Sequence, residues 1–442
     1  MPIIARVSSA LKQLFGILTE EAAQATQLIV RKRKFTAVSL AQTFVMGFLK
    51  KPDASDEELA RMAVSCGAEV TPQAVEKRHT PKLMAFLEGL FRRATRLVVG
   101  SDRALAPILE RFTHVTVLDS STITLPEGMK ERFPGCGGSY GGGAAALKLQ
   151  TELDLRSGAL SHIEIEPGRS PDSATSRQQA VYPVGSLRIT DLGYFNVAVF
   201  ATMMQAAVHF LSRLQFGTGV RLGDGTAVEI MKWLSQQWDV VVDRPILLGL
   251  EQRLPCRLIA WRVPEEQANR RRRKLRKETL SKRGQEPSAE RMAWCDWTIL
   301  VTSVPGELLI PAEAIVLYRA RWQIELLFKR WKSQDLVAVL SGSTEVRQMV
   351  RVWSRLLAAL VQHWLVVSCS WGDPSRSWGK VSEAIRGFVG RLLRALPHQR
   401  ELEQILAELG QMVVKTCQRN RRSKPGTVEL LNDVTLLEFG LT

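Results

Sequence analysis

The sequence predicts an α/β protein, with a strand-rich middle set between helical N- and C-terminal regions. Three observations predict it. Apolar residues recur at helical spacing over the first hundred positions, the period shifts to two in β-branched runs from His114, and helical spacing returns at Pro311 and continues to near Gly410. A chain of 442 residues has room for roughly two to four domains and a sizeable core.

Residues 1–105 read as a helical domain. Helices are expected at Leu11–Ala25, Leu40–Leu49 and Asp56–Cys66 and, beyond the break at Gly67, at Pro72–Lys77 and Pro81–Phe91. The basic link Arg31-Lys32-Arg33-Lys34 joins the first two, and Arg92, Arg93 and Arg96 close the last. Two readings fit these features: a DNA-binding domain with Thr71–Phe91 as a helix-turn-helix, or an ordinary helical bundle with a solvated basic face.

Residues 106–208 open on His114-Val-Thr-Val-Leu-Asp119, a β-branched strand ending in an acid. Lys148–Leu155 and Leu160–Glu166 flank a Ser157-Gly158 turn and read as a hairpin. A helix is expected at Ser173–Val181, then a short strand Ser186–Thr190 ending at Asp191, then a second helix through about Val208. Between the first two strands, Pro134–Gly143 holds six glycines. With no Gly-Lys-Ser/Thr after them, they read as a mobile connection rather than a nucleotide loop.

Residues 209–310 are again strand-rich, with runs at Phe210–Leu214, Val240–Leu248, Arg257–Val263 and Trp297–Thr302. Asn269–Gly284 interrupts them with nine basic residues against the single acid Glu278. That density, with Arg271, Arg272 and Lys274 at its centre, favours phosphate contact over a solvated loop.

Residues 311–372 contain the most informative stretch. Pro311 to Gln334 carries good helix formers and no further Pro or Gly, enough for about five turns. On a helical wheel Val316, Leu317, Ala320, Ile324, Leu327, Phe328 and Trp331 form an apolar arc, with Arg319, Gln323 and Arg330 expected on the outward face. Tyr318, Arg321, Glu325 and Lys332 line up on a stripe at the rim of that arc, spaced three, four and seven residues apart. A carboxylate between Arg, Lys and a phenol suits a place where a metal is held and phosphates are gripped. The remaining C-terminal region, 373–442, reads as helical, with helices near Val381–Arg394 and Glu401–Leu409 and a basic tail Arg419–Lys424. The preceding helix, Thr344–Val367, contains the apolar run Leu356–Val367, too short to span a bilayer.

Composition narrows the partners. Sixty Lys and Arg against 44 Asp and Glu give a net charge of +16 and a pI of about 9.9, which points to a polyanion, nucleic acid first. Six scattered cysteines show neither a CxxC pair nor zinc-ligand spacing, which fits a reducing cytoplasm. A secretory signal is not expected at the N-terminus.

Tyr318, two residues, Arg321, three residues, Glu325, six residues, Lys332 resembles the signature of DDE transposases of the insertion-sequence-four family. The resemblance covers about residues 110–335. It implies a ribonuclease-H-like catalytic core interrupted by a β-strand insertion, with Asp119, Asp191 and Glu325 as catalytic residues holding Mg²⁺, or Mn²⁺ in its place. Asp191 is preferred to Asp224, Asp239 and Asp243 because Asp191-Leu-Gly-Tyr-Phe195 resembles the family's second acidic motif, whereas Asp224 lies in a Gly-Asp-Gly turn. Asp154, alternating with apolar neighbours, is expected to face solvent.

By the same resemblance Tyr318, Arg321 and Lys332 grip phosphates, and Trp297 and Trp322 lie where family members hold a base turned out of the DNA end; packing is the alternative for both tryptophans. The implied activity is cut-and-paste transposition on the terminal inverted repeats and target DNA, through a hairpin intermediate, by a synaptic homodimer. A metal-dependent nuclease or resolvase would share the three carboxylates. A non-catalytic DNA-binding protein would explain the charge but not the stripe.

Overall fold

Among the described residues, ten strands form where β-branched residues alternate or cluster: β1 Val115–Thr124, β2 Ala146–Asp154, β3 Leu160–Pro167, β4 Leu187–Thr190, β5 His209–Arg213, β6 Val220–Leu222, β7 Ala227–Val228, β8 Val241–Leu248, β9 Leu254–Arg262 and β10 Trp297–Thr302. The computed structural model describes residues 2–28, 34–136, 145–333, 344–373, 375–420 and 425–437. The glycine-rich stretch 137–143, the basic link 31–33 and the basic tail 421–424 lie outside the described residues. The chain divides into two compact units. One comprises Met1–Leu105, Ser120–Ser170 and Gln323–Ser423; the other comprises Ala106–Asp119, Pro171–Trp322 and Lys424–Thr442.

The first unit is organised on the 26-residue helix Glu345–Ser370. By length and composition this helix could cross a membrane, unlike the shorter run Leu356–Val367 considered alone, yet 89% of its most apolar stretch is buried in the fold. Helices Ala37–Lys50, Pro81–Ala94, Trp378–Ala395 and Gln399–Thr416 pack around it. Residues 1–105 therefore share a core with the C-terminal helices rather than standing as a compact unit of their own. The expected helix Leu11–Ala25 is two helices, Ile3–Leu14 and Ile17–Thr26. They meet at Gly16, where a Cβ would lie 2.7 Å from the Lys12 carbonyl oxygen, a contact only glycine escapes. Thr71 and Thr80 cap helices Pro72–Glu76 and Pro81–Ala94, each with proline in the first turn. The β2–β3 pair is the expected antiparallel hairpin. Asp154 does not face solvent: it is 4% exposed and accepts from Arg156 N and Ser157 Oγ, closing the hairpin turn.

In the second unit the strand order is β1-β4-β5-β10-β9-β8-β6-β7. β1, β4 and β5 are parallel, as buried central strands in an α/β sheet commonly are. β10 pairs antiparallel with β5, and the inserted strands β6–β10 continue the sheet by antiparallel pairing. Their core is formed by residues such as Phe200, Phe210, Val242, Leu258, Trp297 and Val301. Three local expectations change here. Ser173–Val181 is not an α-helix but two 3₁₀ turns, Asp172–Ala174 and Ser176–Gln179, because Thr175 between them is extended and its hydroxyl caps the second turn. The basic run is a helix, Glu265–Arg283, rather than a loop. The long helix from Pro311 breaks at Arg321 into Pro311–Ala320 and Trp322–Ser333. At the break Arg321 N donates to Tyr318 O at 3.3 Å, the tighter spacing of a 3₁₀ turn.

Candidate active site

Register places the first two acids. β1 and β4 pair as Val115↔Leu187, Thr116↔Arg188, Val117↔Ile189 and Leu118↔Thr190. Asp119 and Asp191 follow directly on the last paired residues, Leu118 and Thr190, so the two acids leave the pairing at the same level, Asp191 just past the end of β4. β1 continues to Thr124, so Asp119 lies within its strand and not at its end; what ends there is the pairing with β4. Burial eases just here. Val115–Leu118 and Leu187–Thr190 are buried, whereas Asp119 and Asp191 are half-buried.

Helix Pro311–Ala320 brings the other two groups. Its N-terminus is fixed from outside the motif: Arg111 makes a two-pronged pair with Glu313, both bonds at 2.8 Å, and donates to Leu308 O at 3.0 Å. Glu313 also accepts from Ile310 N at 3.0 Å, capping the helix. Arg257 on β9 donates to Val304 O and Leu309 O at 2.8 and 2.9 Å while paired with Asp243 at 2.6 Å, so the loop feeding this helix is tied to the inserted sheet. Sequence reading missed the Arg111 and Arg257 anchors, because their bonds to Leu308, Glu313, Val304 and Leu309 reach across 47 to 202 residues.

At the other end of the helix the Tyr318 hydroxyl lies 3.5 Å from Asp191 Oδ1, and Arg321 Nη1 donates to Asp119 Oδ2 at 3.3 Å. Burial, with the Asp191 charge beside it, pushes the Tyr318 phenol well above its ordinary range, so it stays protonated and can only donate to an anion there. Each acid is thus met by one donor from the motif helix. The two carboxylates suit a divalent cation in their chemistry: hard oxygen donors, partly shielded from water. Among the described residues no group of three His, Cys, Asp or Glu side chains is gathered closely enough to hold a metal ion.

The rival acids have other work. Asp224 accepts from Thr226 N at 2.9 Å beside Gly225 at φ +90°, the expected turn. Asp243 pairs with Arg257, and Asp239 with Arg244.

Glu325 and Lys332 lie on the next helix, Trp322–Ser333, Glu325 half-buried and Lys332 exposed. The predicted apolar arc is buried throughout, but Gln323 is not outward: it is 7% exposed. Arg330 is not outward either, stacked 4.0 Å over Trp378 with burial pulling its guanidinium down to about 10.

The two tryptophans part company. Trp297 is 4% exposed in the core of the inserted sheet, under Arg262, so its ring face is not open to a base. Trp322 is 47% exposed. Of the basic residues, Arg271 donates to Trp297 O and Thr298 Oγ1 at 2.9 and 3.0 Å. Arg272 is held by Glu265, Asn269 and Asp296. Both are engaged within the fold, and Lys274 is exposed.

A family model described as the transposase DDE domain matches residues 110–361. The chain belongs to this family. Relatives include the transposase for insertion sequence element IS231B of Bacillus thuringiensis subsp. berliner, 27% identical over 367 residues, which are 77% of this chain and 75% of the relative. The transposase for IS1151 of Clostridium perfringens is 24% identical over 67% of each chain. The putative transposase InsL for IS186A of Escherichia coli (strain K12) is 34% identical over 107 residues, 24% of this chain and 29% of the relative. As a DDE transposase the protein is an enzyme acting on DNA with a divalent metal, and its mixed sheet flanked by helices is of the ribonuclease-H-like class.

Proposed function

We propose that this transposase excises and inserts an insertion sequence by a cut-and-paste route, with Asp119, Asp191 and Glu325 as its catalytic acids. The observation that supports the proposal is that Tyr318 and Arg321 of the motif reach Asp191 and Asp119, the two acids that follow directly on the last paired residues of β4 and β1. Glu325 is the acid of the same motif, one helical turn beyond Arg321.

Asp119 and Asp191 would hold the cation, with Glu325 as the third ligand, and Mg²⁺, with Mn²⁺ as a substitute, suits such carboxylates. Bound there, the ion would activate the attacking oxygen and stabilise the leaving one. Arg321, which pairs with Asp119, would bind a non-bridging oxygen of the scissile phosphate. Tyr318 donates its retained proton to a second phosphate oxygen, and exposed Lys332 neutralises a neighbouring phosphate as a point charge.

In sequence, water cleaves the strand at each element end, the freed 3′-hydroxyl attacks the opposite strand to form a hairpin, water reopens it, and the 3′-hydroxyl joins target DNA. Trp322, 47% exposed, takes the role of stacking on the base that hairpin formation forces out of the helix. Two copies act together, each binding one end. Purified protein incubated with Mg²⁺ and a duplex carrying the element's terminal inverted repeat tests this directly. On a denaturing gel, nicks should precede hairpins of doubled strand length; open double-strand breaks without hairpins would exclude this route.

A further inference from the structure

Helix Glu265–Arg283 carries nine basic residues against Glu265, Glu266 and Glu278, and is polar almost all round. Such a helix is held together in water by i,i+4 pairs and by whatever fixes one side of it. Ala268, Arg271, Arg272, Leu275 and Thr279 recur at helical spacing and supply that side. Ala268 is 1% and Thr279 9% exposed, and Arg271 and Arg272 bond to β10 and to Asp296 just before it. Burial lowers the Arg271 guanidinium from its ordinary value, with Arg213 nearby adding to the effect, as expected of an arginine spent inside the fold.

At about 100° per residue, Arg270, Arg273, Lys274 and Lys277 fall within an arc of roughly 100° facing away from that side, and all four are exposed. Arg270 pairs with Glu266 at 3.5 Å and Lys274 with Glu278 at 3.8 Å, but these are solvent-exposed pairs that an arriving phosphate can displace. From Arg270 to Lys277 the arc runs roughly 10 Å along the axis, a stretch over which duplex DNA presents several phosphates.

We infer that this arc is a duplex-DNA backbone-binding surface, with Arg270, Arg273, Lys274 and Lys277 as its phosphate contacts and Arg271 and Arg272 as the locks that aim it. The inference rests on the reading that the chain acts on DNA, and it assigns the contact to the opposite face of the helix from its two arginines most engaged in the fold. Phosphate contact is independent of sequence, so a generic duplex oligonucleotide is the probe.

The test compares two double variants of equal charge loss in the full chain: Arg273→Gln with Lys277→Gln on the arc, and Arg276→Gln with Lys282→Gln off it. All four side chains are exposed, so melting temperatures should match wild type. Binding is measured across a salt series. The arc variant should bind more weakly and flatten the log–log salt slope by about 1.8, two contacts' worth, while the off-arc variant keeps the wild-type slope. Equal losses in both variants would mean a diffuse field of charge, and unchanged slopes would mean a solvated helix; either overturns the inference. Failure of the wild-type protein to bind the duplex would instead remove the underlying reading.

Discussion

At the scale of single residues, the spacing of Tyr318 and Arg321 was legible because helical spacing is a local property: three residues apart, they reach Asp191 and Asp119 from one side of the chain. Asp119 and Asp191 were legible as acids closing apolar runs, but that they follow a paired Leu118 and Thr190 comes from strand register across 72 residues of chain and could not be counted from spacing. Burial was least legible. Trp297 and Trp322 look alike in sequence, yet one is core and the other half-open, because strand β10 turns its first residue toward the packed face of the insertion. Their variants should separate accordingly. Trp297→Ala should cost about 3–5 kcal/mol and depress nicking and hairpin formation together. Trp322→Ala should leave the melting temperature near wild type, keep the first nick and accumulate nicked ends. Quantifying nicks and hairpins beside the melting temperature checks both, and hairpin formation unaffected by Trp322→Ala would remove its stacking role.

At the scale of elements, the strands after His114 and the motif helix were readable from period and composition, but the break at Arg321 was not. Nothing between Pro311 and Gln334 is a helix breaker; the turn at Tyr318–Arg321 is a tertiary outcome. What sets the first half of that helix is Glu313, gripped by Arg111 and capping Ile310, a contact joining residues 202 positions apart. Glu313→Ala should therefore destabilise the protein by about 1–3 kcal/mol, the cost of unmaking bonds to a mostly buried acid. It should also slow cleavage well below the melting temperature, because Tyr318 and Arg321 ride on this helix. Glu313→Gln, which can still accept from Ile310 N, should recover part of the rate. If cleavage kinetics at low temperature were wild-type in Glu313→Ala, the anchor would matter for stability alone. The basic run likewise read as phosphate-binding from charge density, whereas its division into docking and open faces needed the helix and its partners on β10.

At the scale of the whole molecule, composition gave the polyanionic partner and the element order gave the class of fold, but not how the chain divides. Residues 1–105 read as a domain in their own right because their helical pattern is self-contained; they share a core with Glu345–Ser370 because that helix is buried on every side from Met349 to Val367, covered by helices from both ends of the chain. Its interior holds His363, whose Nε2–H donates to Gly158 O at 2.8 Å and whose burial holds its pKa down at about 4. The unfolded chain binds that proton near pH 6.5 and the folded one does not, so the stability this site allows is full above about 6.5 and falls as pH drops toward 4, by about 3 kcal/mol. His363→Gln should flatten that part of the stability curve in urea titrations between pH 4 and 7, and parallel curves would contradict it. If Asp119, Asp191 and Glu325 act as one metal-dependent centre, Mg²⁺-dependent nicking of an end duplex by Asp119→Asn, Asp191→Asn and Glu325→Gln should fall to background in all three, with DNA affinity, measured alongside, close to wild type because binding comes from basic residues elsewhere; wild-type nicking by any one of them would take that residue out of the centre.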